Sequence, residues 1–545
     1  MRCAMLSKQD LGETETRIWR AASVVGAAVL VGLLAWLPRD IMTLWGHPSS
    51  SHYFSYHPDE IFLLLPSFGF AQGDWNPHFF NYGTLYIYLV GIPAVLFHVV
   101  DGARFPDNLR PLYDLGRYVT VWMGVATVAL LFFVSWRTDK RLGILAALLL
   151  AVCPLHLVNS AYATVDVPAT FFITLAFVIA LYGAEKPNAK WGVLTGLTVG
   201  FAAATKYNMG LFIVPAVFAP IIMPPRAWRW NWCLSIIGGS VLGFIIGCPY
   251  FWTEEFRRGL LFELQHARIG GTLAFVDTGN GWLYHLIHGL PVGLGYPLLL
   301  AVIIGIIAAI RHPSRPTRLA LFWIVFYLLA IGFGRERFIR YVVPLTPFLC
   351  LLAAAGFARL YTSRSLAVRV PAVIFGIAVI LATSVYGTTR TSIERSHDAR
   401  EVAIWQMSRT GEKLTPPPRV GLVEAPWYSD PPVSPYNAGP FPPGMFEEWN
   451  RQNGNRVVIT GWDADKLQAE KPGIFFLSDL ESQDLLRLKR SDALALVAAL
   501  DGLYQEQRTF GPVRDLPAWL APPRSWAPPD WLYQSPRITM YHRPR

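Results

Sequence analysis

The chain is short of charged residues and of cysteine. Of its 545 residues, 15% are Asp, Glu, Lys or Arg and 53% are hydrophobic. Soluble domains carry about 25% charged residues, so this deficit indicates an integral membrane protein. The five cysteines, none of which lies beyond residue 386, have neither the spacing of a disulfide framework nor that of a zinc site. We therefore interpret them as small core residues.

The charges that are present are biased towards the positive sign, with a net charge of +10. The Arg and Lys residues lie in short clusters between apolar runs, as in cytoplasmic loops, and not in the single basic stripe of a nucleic-acid-binding protein. We predict no nucleic-acid partner. The first apolar run, 18–37, is interpreted as an uncleaved helix, because no small-residue cleavage site follows it.

Apolar runs dominate the first 386 residues, and a run of about 20 such residues can cross a bilayer. Eleven are predicted as membrane spans: 18–37, 117–136, 142–158, 167–184, 191–205, 207–223, 232–250, 290–310, 318–334, 340–360 and 367–386. Together with the tail described below, they predict a polytopic α-helical membrane protein.

Segment 81–100 decides which side of the membrane each loop occupies. It is apolar, but it contains Pro93 and the tyrosines Tyr82, Tyr86 and Tyr88, which suit the headgroup level. If the segment lies in the interface and does not span, the basic loops join the basic N-terminus inside, as the positive-inside rule favours. We therefore predict an inner or plasma membrane protein with a cytoplasmic N-terminus and with external loops at 38–116 and 251–289.

The chain changes character at about residue 387, where proline clusters and ordinary polarity begin. Short β-like runs and helical patterns then alternate, which is typical of a small α/β domain. The runs are 419–424, 455–460, 473–478 and 537–542, and the helical patterns are 398–408 and 491–504. We therefore predict two domains, a membrane domain at 1–386 and an external or periplasmic α/β domain at 387–545.

Ionisable residues gather on the predicted external side. Asp59 and Glu60 follow the first span, and Asp166 opens another. Lys206 lies where two spans meet, and Arg340 begins a further one. A carboxylate can remove a hydroxyl proton, and cations can stabilise a departing phosphate, so this mixture suits group transfer. Simpler interpretations stay open, such as a helix cap for Asp166 and a snorkelling role for Lys206.

In their order along the chain, these motifs resemble the GT-C superfamily, specifically the glycosyltransferase family 39 group that includes protein O-mannosyltransferases and the lipid A aminoarabinose transferase. The resemblance covers about residues 15–390. It rests on Asp59-Glu60, Asn81-Tyr82-Gly83-Thr84-Leu85-Tyr86, Asp166, Ala204-Thr205-Lys206-Tyr207, Arg340-Tyr341 and His397-Asp398-Ala399-Arg400. It implies a fold of 11 to 13 spans with interfacial helices in the first external loop. The stretch at 81–84 departs from the family, since it lacks two prolines that relatives often have.

The resemblance implies a membrane glycosyltransferase that moves a sugar, with inversion, from a polyprenyl-phosphate donor to a hydroxyl of a protein, glycan or lipid on the external face. The predicted roles are catalysis for Asp59, Glu60 and Asp166; binding of the lipid phosphate for Lys206, His266, Arg268, Arg340 and Tyr341; and lining of the substrate pocket for His57, Tyr82 and Tyr162. Membrane lipids are the other expected partners. No cofactor or metal site is predicted, and a divalent cation is left open. The alternatives are a multispan transporter and a non-catalytic membrane scaffold.

Overall fold

The structure is a computed structural model that describes residues 8–49, 51–223, 228–395, 398–411, 418–436, 441–512 and 516–543. His397, part of the last motif above, lies outside these ranges. The helices of the membrane part are α1 Lys8–Met42, α2 Glu60–Leu64, α3 Pro66–Ala71, α4 Leu85–Leu96, α5 Arg110–Thr138, α6 Lys140–Val152, α7 Pro154–Asn159, α8 Asp166–Gly183, α9 Ala189–Thr205, α10 Ile213–Ile222, α11 Trp230–Gly247, α12 Glu254–Ile269, α13 Gly281–Tyr284, α14 Leu290–Leu294, α15 Tyr296–Arg311, α16 Arg315–Gly332, α17 Thr346–Tyr361 and α18 Leu366–Arg395. The 3₁₀ turns Tyr207–Phe212 and Ile339–Leu345 precede α10 and α17.

Seven helical segments within the described residues are long and apolar enough to cross a membrane: Val25–Met42, Arg110–Trp136, Asp166–Gly183, Trp230–Gly247, Arg315–Gly332, Ile339–Tyr361 and Leu366–Arg390. An eighth is possible if Gly281–Leu294 and Tyr296–Arg311, which meet at an angle of 118°, form one broken span. These segments confirm the prediction of a polytopic α-helical membrane protein.

Helix occurs in every one of the eleven predicted runs, but four of them form helices that are interrupted or shorter than a full membrane span. The run 142–158 is interrupted at Cys153, because the proline that follows disfavours helical backbone in the residue before it. The run 191–205 forms a continuous helix of 17 residues, which is short of the roughly 20 residues of a full span. The run 207–223 begins as a 3₁₀ turn, and 290–310 bends between α14 and α15. The count of full-length spans is therefore lower than eleven in the described residues.

Small residues pack α9 against α11. A Cβ on Gly196 would collide with the carbonyl of Ile236, and one on Gly243 would collide with the carbonyl of Leu197. The two backbones therefore touch directly, as in membrane helix pairs with glycine at every fourth position. This contact fixes the end of α9, where Lys206 follows immediately.

The chain between α1 and α5 contains the short helices α2, α3 and α4, as expected. The helix in segment 81–100 is α4, whose 12 residues reach about 18 Å, less than the roughly 30 Å of a bilayer core. This length supports the prediction that the segment does not span. One detail of that prediction is wrong: Tyr86 is fully buried in the protein, where its hydroxyl donates to the carbonyl of Gly116 at 2.8 Å.

The C-terminal part forms a five-stranded mixed sheet, flanked by helices. Its elements are α19 Ala399–Gly411, β1 Val420–Leu422, α20 Met445–Gln452, β2 Val457–Ile459, α21 Ala464–Glu470, β3 Ile474–Ser478, α22 Asp479–Arg487, α23 Ser491–Leu503, β4 Glu506–Phe510, α24 Pro529–Leu532 and β5 Ile538–His542. The strand order is β2-β1-β3-β5-β4, with β1 parallel to β2 and β3, and β5 antiparallel to β3 and β4. The predicted α/β architecture is confirmed.

Candidate active site

A cavity of about 980 Å³ lies where the first external loop, α12, the turn Ile339–Leu345 and the C-terminal part meet. Seven of the predicted site residues line it: Asp59, Tyr82, Lys206, His266, Arg268, Arg340 and Tyr341. Residues separated by nearly 300 positions therefore meet in one place. The cavity is large enough for a drug-sized ligand, whose pockets measure about 300–1,000 Å³.

Asp59 and Arg340 form an ion pair at the wall of this cavity. Arg340 Nη1 lies 2.8 Å from Asp59 Oδ2, and the two side chains are 11% and 25% exposed. The guanidinium of Arg340 donates no hydrogen bond to any side chain or carbonyl within the described residues, and Nη1 is not aligned with Asp59. Apart from this contact with Asp59, the guanidinium of Arg340 therefore has donors available for a bound anion.

Lys206 forms an ion pair with Asp166, the first residue of α8. Its Nζ lies 2.6 Å from Asp166 Oδ1, and both side chains are buried. The ammonium also lies 4.9 Å from the ring centre of Tyr341. Because an ammonium has three donors, two hydrogens remain for a ligand in the cavity. Asp166 itself does not line the cavity, so its predicted catalytic role is corrected to that of a partner that positions Lys206.

Glu60 points away from the cavity, although it follows Asp59 directly. Its side chain is fully buried; Arg117 Nε donates to its Oε1 at 2.8 Å, and Arg117 Nη2 donates to its Oε2 at 2.7 Å. The backbone N–H of Ala163 donates to Oε1 at 2.8 Å. Burial alone would raise the pKa of Glu60, but the charge and hydrogen bonds of Arg117 hold that pKa at about 2. Its predicted catalytic role is therefore corrected to a structural one.

His57 and Tyr162 form a layer behind the cavity and do not line it. Both are buried, and their ring centres lie 4.6 Å apart. The backbone N–H of Asp59 donates to His57 Nδ1 at 3.3 Å. Burial lowers the pKa of His57, which suits an acceptor nitrogen. The prediction that these two residues line the substrate pocket is corrected: they support the loop that carries Asp59.

The loop before α4 brings Tyr82 to the cavity by close backbone packing. A Cβ at Gly83 would collide with the carbonyl of Ala204. The hydroxyl of Tyr207 donates to the carbonyls of Phe80 and Tyr82, at 2.8 and 2.9 Å. The family often has proline in this stretch. Gly83 instead lets the loop lie directly on the end of α9.

Several cavity-lining residues were not predicted from the sequence, and four of them bear on the chemistry or shape of the site. Glu263 lies on α12, and Trp427, Tyr428 and Tyr533 belong to the C-terminal part. The amphipathic spacing of residues 255–269 is typical of a helix that rests on the membrane surface, and it gives no sign of the face of α12 that reaches the cavity. The aromatic residues had no signal in the sequence, because 14% of the chain is aromatic.

The C-terminal part also holds the cavity together. Asp530 Oδ1 and Oδ2 accept from the backbone N–H groups of Ile339 and Arg340, at 3.0 and 3.1 Å. Arg400 donates to the carbonyls of Tyr428 and Tyr533 and pairs with Asp398 at 2.7 Å. The Asp398–Arg400 motif noted in the sequence therefore anchors two walls of the site.

No group of three or more His, Cys, Asp or Glu side chains suited to a metal ion occurs in the part of the chain that the structure describes. The expectation about cofactors stays a prediction.

Among the predicted cations, His266 Nε2 lies 3.9 Å from Glu336 Oε1, which also accepts a hydrogen bond from the backbone N–H of Thr272.

Comparison with known proteins gives two family matches. Residues 115–252 match the family described as dolichyl-phosphate-mannose-protein mannosyltransferase. Residues 279–432 match the Alg9-like mannosyltransferase family. The first match contains Asp166 and Lys206, and the second contains Arg340 and Tyr428. The predicted resemblance to the GT-C glycosyltransferases is confirmed.

Similar curated proteins are bacterial. An undecaprenyl phosphate-alpha-4-amino-4-deoxy-L-arabinose arabinosyl transferase from Pseudomonas paraeruginosa is 25% identical over 348 residues, which is 59% of this chain and 59% of that protein. A protein of the same name from Enterobacter sp. is 22% identical over 411 residues, 68% of this chain and 66% of that protein. The matched region thus spans about 59% of the length of the Pseudomonas relative.

Matches among solved structures include two proteins of low sequence identity to this chain. ArnT from Cupriavidus metallidurans in the apo state has a TM-score of 0.48 and 15% identity, covering 86% of this chain and 95% of that one. The archaeal oligosaccharyltransferase AglB from Archaeoglobus fulgidus has a TM-score of 0.48 and 12% identity, covering 91% of this chain and 73% of that one.

Proposed function

We propose that this protein is a membrane glycosyltransferase that uses a sugar linked to a polyprenyl phosphate and transfers it to a hydroxyl group on the external face. The observation that carries the proposal is the cavity in which Asp59 meets Arg340 and Lys206. The two family matches and the relatives named for undecaprenyl-phosphate donors support it.

In this proposal the two cations bind the donor phosphate. Arg340 can grip two phosphate oxygens with its planar fork, and Lys206 adds a point charge. The side chains of His266 and Arg268 lie at the same cavity and add further donors. Negative charge develops on the phosphate as the sugar leaves, so fixed cations stabilise the transition state more than the ground state.

Asp59 acts as the general base. As the acceptor oxygen attacks the anomeric carbon from the side opposite the phosphate, its proton passes to Asp59, and the configuration inverts. The ion pair with Arg340 adds a control step. When the phosphate draws the guanidinium of Arg340 to itself, the carboxylate of Asp59 becomes free, so the base is released only when the donor is present.

The experiment is a donor-consumption assay with the purified full chain in detergent. The protein is given a heat-inactivated detergent extract of bacterial membranes, which contains undecaprenyl-phosphate sugars together with protein, glycan and lipid acceptors for the sugar, and the release of undecaprenyl phosphate is followed by mass spectrometry. We expect the wild type to release it, Asp59→Asn to lose the reaction, and Asp465→Asn to keep it, since Asp465 is exposed on α21.

The same assay tests the other functions. A transporter would move the lipid or its sugar in vesicles without cleaving the sugar–phosphate bond. A scaffold would leave every undecaprenyl-phosphate sugar intact. Either result, obtained with folded wild-type protein, would contradict the proposal.

A further inference from the structure

Glu263 is a carboxyl group at the wall of the candidate active site, and it has no hydrogen-bond or ion-pair partner in the part of the chain that the structure describes. It lies on the face of α12 that lines the cavity. Within the described residues it makes no hydrogen bond or ion pair, whereas Glu254 at the start of the same helix pairs with Arg257 and Arg258. An unpaired carboxyl that faces a substrate cavity is available for a ligand.

The charges around Glu263 are those of the proposed reaction. Lys206 and Arg340 favour its ionised form, and Asp59 opposes it. Burial outweighs both cations and raises the pKa of Glu263 to about 7. The group therefore exists in both forms near neutral pH, and a bound phosphate, which is negative, shifts it further towards the protonated form.

We propose that Glu263 is the acid of this site: in its protonated form it donates a hydrogen bond, and then its proton, to the phosphate oxygen from which the sugar departs. This inference rests on the proposed function. In the step, the bond between the anomeric carbon and the phosphate oxygen breaks, and the bond to the acceptor oxygen forms. The acceptor proton goes to Asp59, and the proton of Glu263 goes to the phosphate.

The cycle then closes inside the cavity. Asp59 holds one proton after the transfer, and Glu263 has lost one. Water in a cavity of about 980 Å³, bonded to the charged side chains at its wall, can carry the proton from Asp59 back to Glu263. The net reaction moves the proton of the acceptor hydroxyl to the released polyprenyl phosphate, and both carboxyl groups return to their starting forms.

The other groups that face Glu263 must be controlled in any test of pH dependence. Lys206 and Tyr207 approach from the end of α9, Asp59 and Tyr82 from the first external loop, Arg340 and Tyr341 from the turn before α17, and His266 and Arg268 from α12 itself. His266 lies one turn from Glu263 on the same helix and lines the same cavity. A His266→Asn variant therefore accompanies every measurement.

The test uses undecaprenyl phosphate itself, which requires no knowledge of the sugar or the acceptor. Its dissociation constant is measured between pH 6 and pH 8.5 for the full-length wild type, Glu263→Gln, His266→Asn and the matched control Glu254→Gln. We expect the affinity of the wild type and of Glu254→Gln to fall with rising pH by about tenfold more than that of Glu263→Gln, which corresponds to about one unit of pKa shift upon binding. Glutamine keeps a hydrogen-bond donor but cannot ionise.

Turnover in the donor-consumption assay gives a second readout. We expect Glu263→Gln to lower the maximal rate at pH 7 by about 10- to 100-fold, with little change in the apparent affinity for the donor. The inference is overturned if wild type and Glu263→Gln share one binding profile, or if the pH dependence disappears in His266→Asn alone. A wild type that binds no undecaprenyl phosphate would instead overturn the proposed function.

Discussion

Two neighbouring carboxylates, Asp59 and Glu60, have opposite surroundings in this protein. Glu60 meets Arg117 in a fully buried pair in which Nε and Nη2 each donate to a carboxylate oxygen, and Nη1 donates to the carbonyl of Thr43. Asp59 meets Arg340 through a single ion contact at the wall of a large cavity. The donors of Arg117 are thus bonded within the protein, whereas Arg340 contacts the carboxylate of Asp59 and has other donors available for a ligand.

The difference teaches how a charged pair can be recognised as structural or functional. A buried pair is stable only when its remaining donors and acceptors are satisfied, as they are around Glu60. The Asp59–Arg340 pair lies at a cavity wall, and its contact is not an aligned hydrogen bond. We therefore expect a ligand to supply the missing hydrogen-bond partners. We therefore propose that the Glu60–Arg117 pair stabilises the fold and that the Asp59–Arg340 pair takes part in the reaction.

Removal of the Arg117 guanidinium gives the largest expected effect. Arg117→Met leaves the buried Glu60 carboxylate without its cationic partner, which costs about 3–5 kcal/mol of unfolding free energy. We expect little folded protein in the membrane fraction, measured by size exclusion in detergent and by thermal unfolding. The matched change at the open pair, Arg340→Met, should yield folded protein. Equal loss of folded protein in both variants would break the comparison.

Asp59→Asn is expected to act on rate instead of stability. It keeps the size of the side chain but removes the base, so turnover should fall by about 10²- to 10⁴-fold. The thermal-unfolding midpoint should change far less than that of Arg117→Met, because the Asp59 side chain is 25% exposed. Turnover close to that of the wild type, in protein that is correctly folded, would refute the role as base.

Much of the fold follows from composition and periodicity. Apolar runs locate helices well, and four of the five strands match β-like runs of the tail. The missed strand β4 is an edge strand whose residues Glu506–Phe510 are mostly exposed, so no alternation of polar and apolar residues marks it. The broken spans depend on single prolines and glycines whose local effect outweighs hydropathy.

The site is less predictable than the fold. Sequence order located Asp59, Lys206 and Arg340, yet it could not tell Asp59 from Glu60, because that difference depends on Arg117, which lies 57 positions from Glu60. Likewise, the sequence predicted a catalytic role for Asp166 and did not show that its carboxylate pairs with Lys206. Pairings across the fold decide whether a charge is free, and a motif of a few residues does not contain them.

Arg340→Lys sharpens the comparison at the open pair, since it keeps the positive charge and removes the planar fork. If the fork grips the phosphate, as we propose, the change costs one charge-assisted hydrogen bond, about 1.5–3 kcal/mol, and lowers kcat/KM for the lipid donor by about 10- to 100-fold. If Arg340→Lys keeps the wild-type kcat/KM in detergent, positive charge alone is enough to bind the phosphate, and the planar guanidinium is not required. The exposed Arg257→Lys on α12 is the matched control.

The smallest expected effect concerns Asp166, which acts on the reaction through Lys206. In Asp166→Asn the amide still occupies the space, but the 2.6 Å ion pair is lost, and the ammonium no longer has a fixed position at the cavity wall. Because Lys206 shares the phosphate with Arg340, we expect the apparent KM for the donor to rise by several-fold while kcat stays nearly constant. A purely structural residue would lower the amount of folded protein without moving KM alone. If instead kcat collapses while KM stays constant, as for Asp59→Asn, Asp166 belongs to the chemical step, and the division between positioning and catalytic carboxylates must be redrawn.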